Sequence, residues 1–291
     1  MAAGIQASIF GETDHSDVAT IDTHARILRP LLNIPTAVTE EIKLHVDEDG
    51  LRSKFVDPAN VALGQFHVTP SAFDHYEVET ESTVGLPVGK LAALASRARM
   101  RRSDPDPIDL DVDQRRVLVT TEREYVDTTV RQTDDLQNID PASVRDEPDE
   151  PQVKRDWRAE LDTAAFADVV SSLDDMADTV RVFEEDGTLV FGGVGDGDSE
   201  FASVADFGHV AEAIHDDAST GAETWLHLSY LSDFATAIKK AKFDTVTFRW
   251  GESIPARLDF ERHIEDDGDE VVAYGGHFTV APRIRKEGEH E

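Results

Sequence analysis

Ile21-Asp22-Thr23-His24-Ala25 returns 140 positions on (161 − 21) as Leu161-Asp162-Thr163-Ala164-Ala165, and this echo decides how the chain is read. In both places an Asp-Thr pair, of the kind that caps helices, stands ahead of apolar residues at helical spacing. The first stripe is Ile27, Leu28, Leu31 and Leu32, and the second is Phe166, Val169, Val170, Leu173 and Ala177. Next, Ile42-Lys43-Leu44-His45-Val46-Asp47-Glu48-Asp49-Gly50-Leu51 is matched by Val180-Arg181-Val182-Phe183-Glu184-Glu185-Asp186-Gly187-Thr188-Leu189, with the glycines 137 apart (187 − 50). Each reads as two strands joined by an acidic Asp-Gly turn, which supplies the positive-φ positions of a tight hairpin. A third echo sets Leu86-Pro87-Val88-Gly89-Lys90-Leu91 over Leu226-His227-Leu228-Ser229-Tyr230-Leu231, again 140 apart (226 − 86). These lead into second helices predicted to run to about Met100 and Lys242.

Three echoes in order, at nearly constant offset, mark an internal duplication. Each half reads as strand, helix, strands, helix, strands, and alternating runs such as Thr245-Val246-Thr247-Phe248-Arg249-Trp250 complete the sheets. The predicted organisation is an N-terminal extension over 1–17, a first domain over 18–133, a connector over 134–154 and a second domain over 155–291. Asp140-Pro141 and Glu147-Pro148-Asp149-Glu150-Pro151 make the connector an extended surface segment, because proline withholds backbone donors.

The chain of 291 residues is 40% hydrophobic, enough to bury a substantial core over two domains. Its 60 Asp+Glu stand against 28 Lys+Arg, for a formal net charge of -32. Regular apolar periodicity speaks against disorder, so the acidity reads as adaptation to multimolar salt, where screening acts over about 3 Å. Bulk negative charge excludes a general nucleic-acid binder, and any DNA contact must come from local basic patches. With no cysteine, disulfides, thiolate zinc sites and cysteine nucleophiles are excluded. The start MAAGIQASIF lacks the features of a secretion signal, and no long apolar run follows, so a cytoplasmic protein without membrane partners is expected.

Several segments then resemble the proliferating cell nuclear antigen family of sliding clamps, most of all clamps of salt-loving archaea, whether encoded by the cell or by a virus infecting it. They are Phe55-Val56-Asp57-Pro58-Ala59-Asn60-Val61, Ala72-Phe73-Asp74-His75-Tyr76, Ile139-Asp140-Pro141 with Arg145-Asp146-Glu147-Pro148, Leu228-Ser229-Tyr230-Leu231, and Val280-Ala281-Pro282-Arg283-Ile284. The likeness spans roughly Val18 to Arg285. It implies an α+β fold, the DNA clamp, with two similar β-α-β-rich domains, helices lining a ring interior and antiparallel sheets outside. It further implies a homotrimer joined head to tail, with about Glu124 to Thr133 of one copy pairing with Ser199 to Val204 of the next. The implied function is that of a processivity factor that encircles double-stranded DNA without reading sequence. Docking partners would be DNA polymerase, clamp loader, ligase and nucleases. No enzymatic activity, cofactor or metal is expected.

Basic residues fit that expectation on three of the four helices: Arg26 and Arg29 on the first, Lys90, Arg97 and Arg101 on one side of the second, and Lys239, Lys240 and Lys242 at the end of the last. Each offers phosphates a cation without reading bases. Solvated faces answering the helix dipole would look the same. The remaining helix carries Asp168, Asp174 and Asp175 and no basic residue, so only weak DNA contact is expected. By the resemblance, a hydrophobic docking pocket would be walled by Val56, Val61, Val144, Pro255, Ala281, Pro282 and Ile284, and a partner would insert a helical turn with apolar anchors. Gln6-Ala7-Ser8-Ile9-Phe10 faintly resembles such a partner motif, but its aromatic comes too early. The chain has neither a His-Glu-x-x-His helix, a phosphate loop nor a nucleophile elbow, and Asp109-x-Asp111-x-Asp113 lacks the glycine and distant Glu of a calcium loop. The rival reading is a clamp-like subunit of a mixed ring, or a decoy that sequesters partners.

Overall fold

The computed structural model describes residues 17–100, 105–146, 153–194, 201–218, 221–266 and 269–283. The first repeat contains β1 (Asp17–His24), α1 (Ala25–Thr36), β2 (Ile42–Asp47), β3 (Gly50–Val56), β4 (Ala62–Val68), β5 (His75–Val78), β6 (Ser82–Leu86), α2 (Val88–Ala95), β7 (Pro107–Asp113), β8 (Arg116–Glu124) and β9 (Thr129–Gln137). The second repeat gives the same series: β10 (Trp157–Asp162), α3 (Thr163–Asp174), β11 (Thr179–Glu185), β12 (Thr188–Val194), β13 (Ser203–Asp206), β14 (Glu212–Ala213), β15 (Glu223–His227), α4 (Leu228–Lys240), β16 (Thr245–Trp250), β17 (Ala256–Asp266) and β18 (Asp269–Val280). Strand order repeats as well. Neighbours run β5-β1-β7-β8-β9 in the first and β14-β10-β16-β17-β18 in the second, while β3-β2-β6 is answered by β12-β11-β15. The fold is therefore the α+β duplication expected from the echoes.

The chain forms two compact units. One holds residues 17–55, His67–Asp146 and His263–Tyr274, and the other Val56–Phe66, 153–262 and 275–283. The predicted domains depart from these units at two segments, 56–66 and 263–274, each grouped with the other half of the sequence. In the second unit the order continues past β18 to β4, so the fourth strand of the first repeat is built in beside the last strand of the second. The predicted connector also starts later than position 134, since Asp134 to Gln137 belong to β9 and pair with β8. It then lies on β6: the Ile139 amide donates to the Gly85 carbonyl at 2.7 Å, and a Cβ on Gly85 would come 2.2 Å from the Ile139 oxygen.

Local chemistry explains where the elements stop. The second hairpin has a two-residue turn with Asp186 and Gly187 at φ 50° and 81° between the paired Glu185 and Thr188, as read from the sequence. In the first hairpin only Gly50 has positive φ, at 124°. Asp162 caps α3 through its carboxylate, which accepts from the Ala165 amide at 2.7 Å. The matching Asp22 and Thr23 do not cap α1. They are still strand residues, paired with Asp109 and Ile108 of β7, and the cap position falls to His24 without a side-chain bond. The helix predicted to reach Met100 ends at Ala95, where the Ser96 hydroxyl donates back to the Ala93 carbonyl and the Arg97 and Ala98 amides donate three residues back, tightening the turn.

In the second unit Phe166 of α3 meets Phe191 of β12 and Phe248 of β16, so one helix residue joins strands from both of that unit's sheets. Phe234 of α4 stacks on Phe278 of β18 at 4.2 Å. The first unit's core is mainly aliphatic, with Ile21, Leu28, Leu32, Ile34, Ile42, Leu91 and Ile108 buried beside Phe55 and Tyr274. In each repeat the two helices pack on one another, α1 on α2 and α3 on α4.

Candidate docking site and basic helix faces

Asp57 organises the turn between β3 and β4. Its residue is 4% exposed, yet its carboxylate accepts from four donors among the described residues. Oδ1 accepts from the Val61 and Ala62 amides at 2.7 and 2.8 Å, and Oδ2 accepts from the Ala59 amide at 2.9 Å and the Tyr230 hydroxyl at 2.8 Å. The Asn60 amide donates to the Asp57 carbonyl at 3.1 Å, and Asn60 itself takes φ 57°, a left-handed value that asparagine tolerates. Burial opposes the Asp57 charge, but the Ala62 amide, the Tyr230 hydroxyl and the Ala59 and Val61 amides outweigh it and hold the carboxyl below its usual range. Burial first, and then the bond to Asp57, push the Tyr230 hydroxyl upward, which keeps it a donor.

From this turn the structure reaches the C-terminal segment. The Ala281 amide donates to the Val61 carbonyl at 2.8 Å, and the Arg283 amide donates to the Trp225 carbonyl of β15 at 2.7 Å. Three sequence signatures quoted above thus meet in the second unit: the Val56 to Val61 turn, Tyr230 on α4, and Ala281-Pro282. Of the pocket residues, Val56 is buried at the end of β3, while Val61, Ala281 and Pro282 are half-buried. Pro255 lies in the loop before β17, where its carbonyl accepts from Arg155 Nε at 3.1 Å. Val144 belongs to the first unit, buried against Gly85. Ile284 lies outside the described residues.

The basic residues are less free than their spacing suggests. Arg26 is half-exposed on α1, and Arg29 Nη1 donates to the Ala98 carbonyl at 2.8 Å, so it caps the turn after α2. Lys90 is exposed on α2. Arg97 lies beyond the end of that helix, which corrects its expected place on a helical face, and it pairs with Asp134 at 2.6 Å. Arg101 lies outside the described residues. At the end of α4 Lys239 pairs with Asp168 of α3 at 2.5 Å, Lys240 is exposed, and Lys242 sits past the helix at φ 62°. Burial, then the charge of Asp174, holds the Asp233 carboxyl above its usual range, with Lys240 opposing. The acidic α3 therefore takes up part of the positive charge of α4.

Sequence reasoning assigned no role to Tyr230 or Asp57, although Asp-Pro-x-Asn is a turn signal that could have flagged the aspartate. Four large apolar residues are exposed among the described residues, Met176 after α3 and three within the segments read as joining copies. Tyr125 and Val126 project from the β8–β9 hairpin, and Val204 from β13, at 54%, 98% and 55% exposure. β9 and β13 are the end strands of their sheets.

Residues 20–134 match the family described as proliferating cell nuclear antigen, N-terminal domain. The DNA polymerase sliding clamp of Natronomonas pharaonis is 27% identical over 264 residues, covering 90% of this chain and 97% of its own. That of Methanothrix thermoacetophila is 27% identical over 269 residues, covering 92% and 99%. Among solved structures, A. fulgidus PCNA bound to the C-terminal region of FEN-1 covers 92% of this chain and all of its own, with a TM-score of 0.71 at 22% identity. The PCNA2-PCNA3 complex from Sulfolobus tokodaii gives 91%, 99%, 0.73 and 20%. With the duplicated fold and the converging signatures, these likenesses lead to one assignment: residues 20–134 belong to the proliferating cell nuclear antigen family as its N-terminal domain, and the chain is similar over nine-tenths of its length to DNA polymerase sliding clamps.

Proposed function

We propose that this sliding clamp acts as a DNA polymerase processivity factor by closing three copies head to tail around duplex DNA, and that it tethers rather than catalyses. One observation carries the ring. In the second unit the last strand of one repeat, β18, lies beside the fourth strand of the other, β4. The equivalent strands β9 and β13 end their sheets with that neighbour missing, and they or their hairpins bear Tyr125, Val126 and Val204. Repeating the internal pairing between chains joins β9 of one copy to β13 of the next, a heterologous contact that closes after a fixed rotation.

The basic residues Arg26, Arg29, Lys90, Arg97, Arg101, Lys239, Lys240 and Lys242 supply non-specific phosphate contacts in such a ring, weakened by the acidity of α3 and by salt. Ring topology then does most of the holding. Val61, Ala281 and Pro282, with Val56 and Pro255, supply the groove of the second unit for short motifs of polymerase, clamp loader, ligase and nucleases. The net charge of -32 suits a salt-rich cytoplasm.

The test is long-range synthesis by a family DNA polymerase on a primed circle in molar potassium chloride, with light scattering in the same buffer. Trimers and stimulated synthesis are expected. A monomer at every concentration would remove the ring, and normal partner binding without stimulation would favour the decoy that the acidic α3 suggests.

A further inference from the structure

The groove's wall is not continuous in sequence, and something must hold its pieces in register. Val61 stands on a five-residue turn, Ala281 on the chain's final described segment, and the bond between them runs from one amide to one carbonyl at 2.8 Å. The turn has little core of its own, since Pro58, Ala59 and Asn60 are exposed. What fixes it is the Asp57 carboxylate, whose donors among the described residues include the Ala59 and Val61 amides of the turn and the Ala62 amide that opens β4. A fourth, Tyr230, comes from α4 and is 173 residues away.

Tyr230 is in turn well seated. Its ring meets His227 edge-on at 5.9 Å and Phe234 at 6.4 Å, and Phe234 is fully buried against Phe278 near the end of β18. Two residues after Phe278, β18 ends and leads into Ala281. The helix that bears Tyr230 thus abuts the strand that delivers one side of the groove, while the hydroxyl holds the turn that forms the other.

We propose that Tyr230 is the positioning residue of the docking groove: through Asp57 its hydroxyl holds the 57–61 turn so that Val61 and Ala281 present a single apolar wall to a partner's helical turn. The inference rests on the groove reading above. The same bond links the groove to α4, the helix that carries Lys239 and Lys240, so a displacement of that helix reaches the docking wall through one hydrogen bond.

The experiment uses the full chain as its ring in molar potassium chloride. The probe is a synthetic peptide carrying Gln, an aliphatic residue three positions later and two aromatics, followed by fluorescence anisotropy. Tyr230→Phe keeps the ring packing and removes only the hydroxyl. About tenfold weaker peptide binding is expected, the usual scale for a hydrogen bond to a buried charge. Hydrogen exchange at the Ala59, Val61 and Ala62 amides should quicken, with melting and trimer mass unchanged. In primed-circle synthesis more polymerase should restore the full wild-type plateau, whereas a merely destabilised ring would lower it. Should Tyr230→Phe lose its rings, Asp57→Asn, which leaves α4 intact, takes its place with the same expectations. Ala281→Asp separates the two claims. If it leaves peptide binding unchanged, the groove reading fails. If it abolishes binding while Tyr230→Phe binds as wild type does, the groove stands and the positioning role is overturned.

Discussion

The two repeats share a strand order and differ in almost everything else. Around α3 and α4 the core is a cluster of rings, with Phe166, Phe191, Phe234, Phe248, Trp250 and Phe278 fully buried, while the first repeat has Leu28 in place of Phe166 and buries mainly aliphatic residues such as Ile21, Ile42 and Leu91. Their helices differ in charge too: α1 and α2 carry arginine and lysine, whereas α3 is acidic and neutralises Lys239 of α4. Their edges have different fates, since β4 has found β18 and β13 ends its sheet. The architecture thus tolerates two packing solutions and two charge patterns, provided that apolar positions stay at the same places in the strand and helix periods.

The edges give the harshest way to break that comparison. Val204→Asp puts a charge on the exposed end strand and leaves the unit's own packing alone. Complete loss of trimers by light scattering is expected, with loss of processive synthesis and little change in melting. A trimer that survives this substitution would show that β13 is not the joining edge.

The cores offer a second test. Phe166 and Leu28 hold the fourth position of their helices, α3 and α1. Phe166→Ala should cost about 3–5 kcal/mol and Leu28→Ala about 2–5 kcal/mol, with Phe166 at the upper end because it meets rings from both sheets of its unit. Urea unfolding followed by far-UV circular dichroism, which reports both repeats, checks this, with tryptophan fluorescence isolating the second repeat, where Trp157, Trp225 and Trp250 lie. Equal midpoint shifts would indicate that the aromatic packing adds nothing beyond area.

Much of this was legible beforehand. Duplication, both hairpins and the start of α4 follow from short-range patterns, because periodicity and turn chemistry are local. What stayed hidden depends on distant partners. Asp57 looks like a turn residue until Tyr230 arrives from another part of the chain. The departure of 56–66 and 263–274 from the predicted domains reflects strands whose neighbours lie far away in sequence. A helix predicted to run to about Met100 puts Arg97 on its face, and the Ser96 back-bond beside its actual end at Ala95 leaves no mark in the residue pattern.

A weaker contrast lies in two sets of carboxylates. Asp57 is held below its usual range by donors, so its contribution to stability is present above the unfolded carboxylate range and is lost as pH falls through the depressed folded value. Asp109 and Asp111 on β7 are raised, by burial first and then by Asp22 across the strand pair. For them the sign reverses: their contribution is fullest in acid and is lost as pH rises through the raised folded value. At neutral pH the ladder is a net cost. Asp109→Asn should raise Tm by about one or two degrees in low salt at pH 7, and by less near pH 4, as calorimetry can measure. In molar potassium chloride, where screening acts over about 3 Å, the gain should fade.

The smallest expected effect concerns the helices. If α3 restrains α4 by taking up its charge, Asp168→Asn frees Lys239 and removes one negative charge from the face proposed to meet DNA. Affinity for a linear duplex should rise about two- to fivefold at 0.1 M salt, in line with one added phosphate contact. The gain should vanish in molar salt, because counterions then compete for the same phosphates. Lys239→Ala alone should lower affinity little, since Asp168 already occupies that lysine, and the double variant should match Asp168→Asn less the gain from Lys239. If Asp168→Asn binds duplex no better than wild type at low salt, the exposed acids of α3 face away from the DNA path, and the charge difference between the repeats has no bearing on how the ring holds its track.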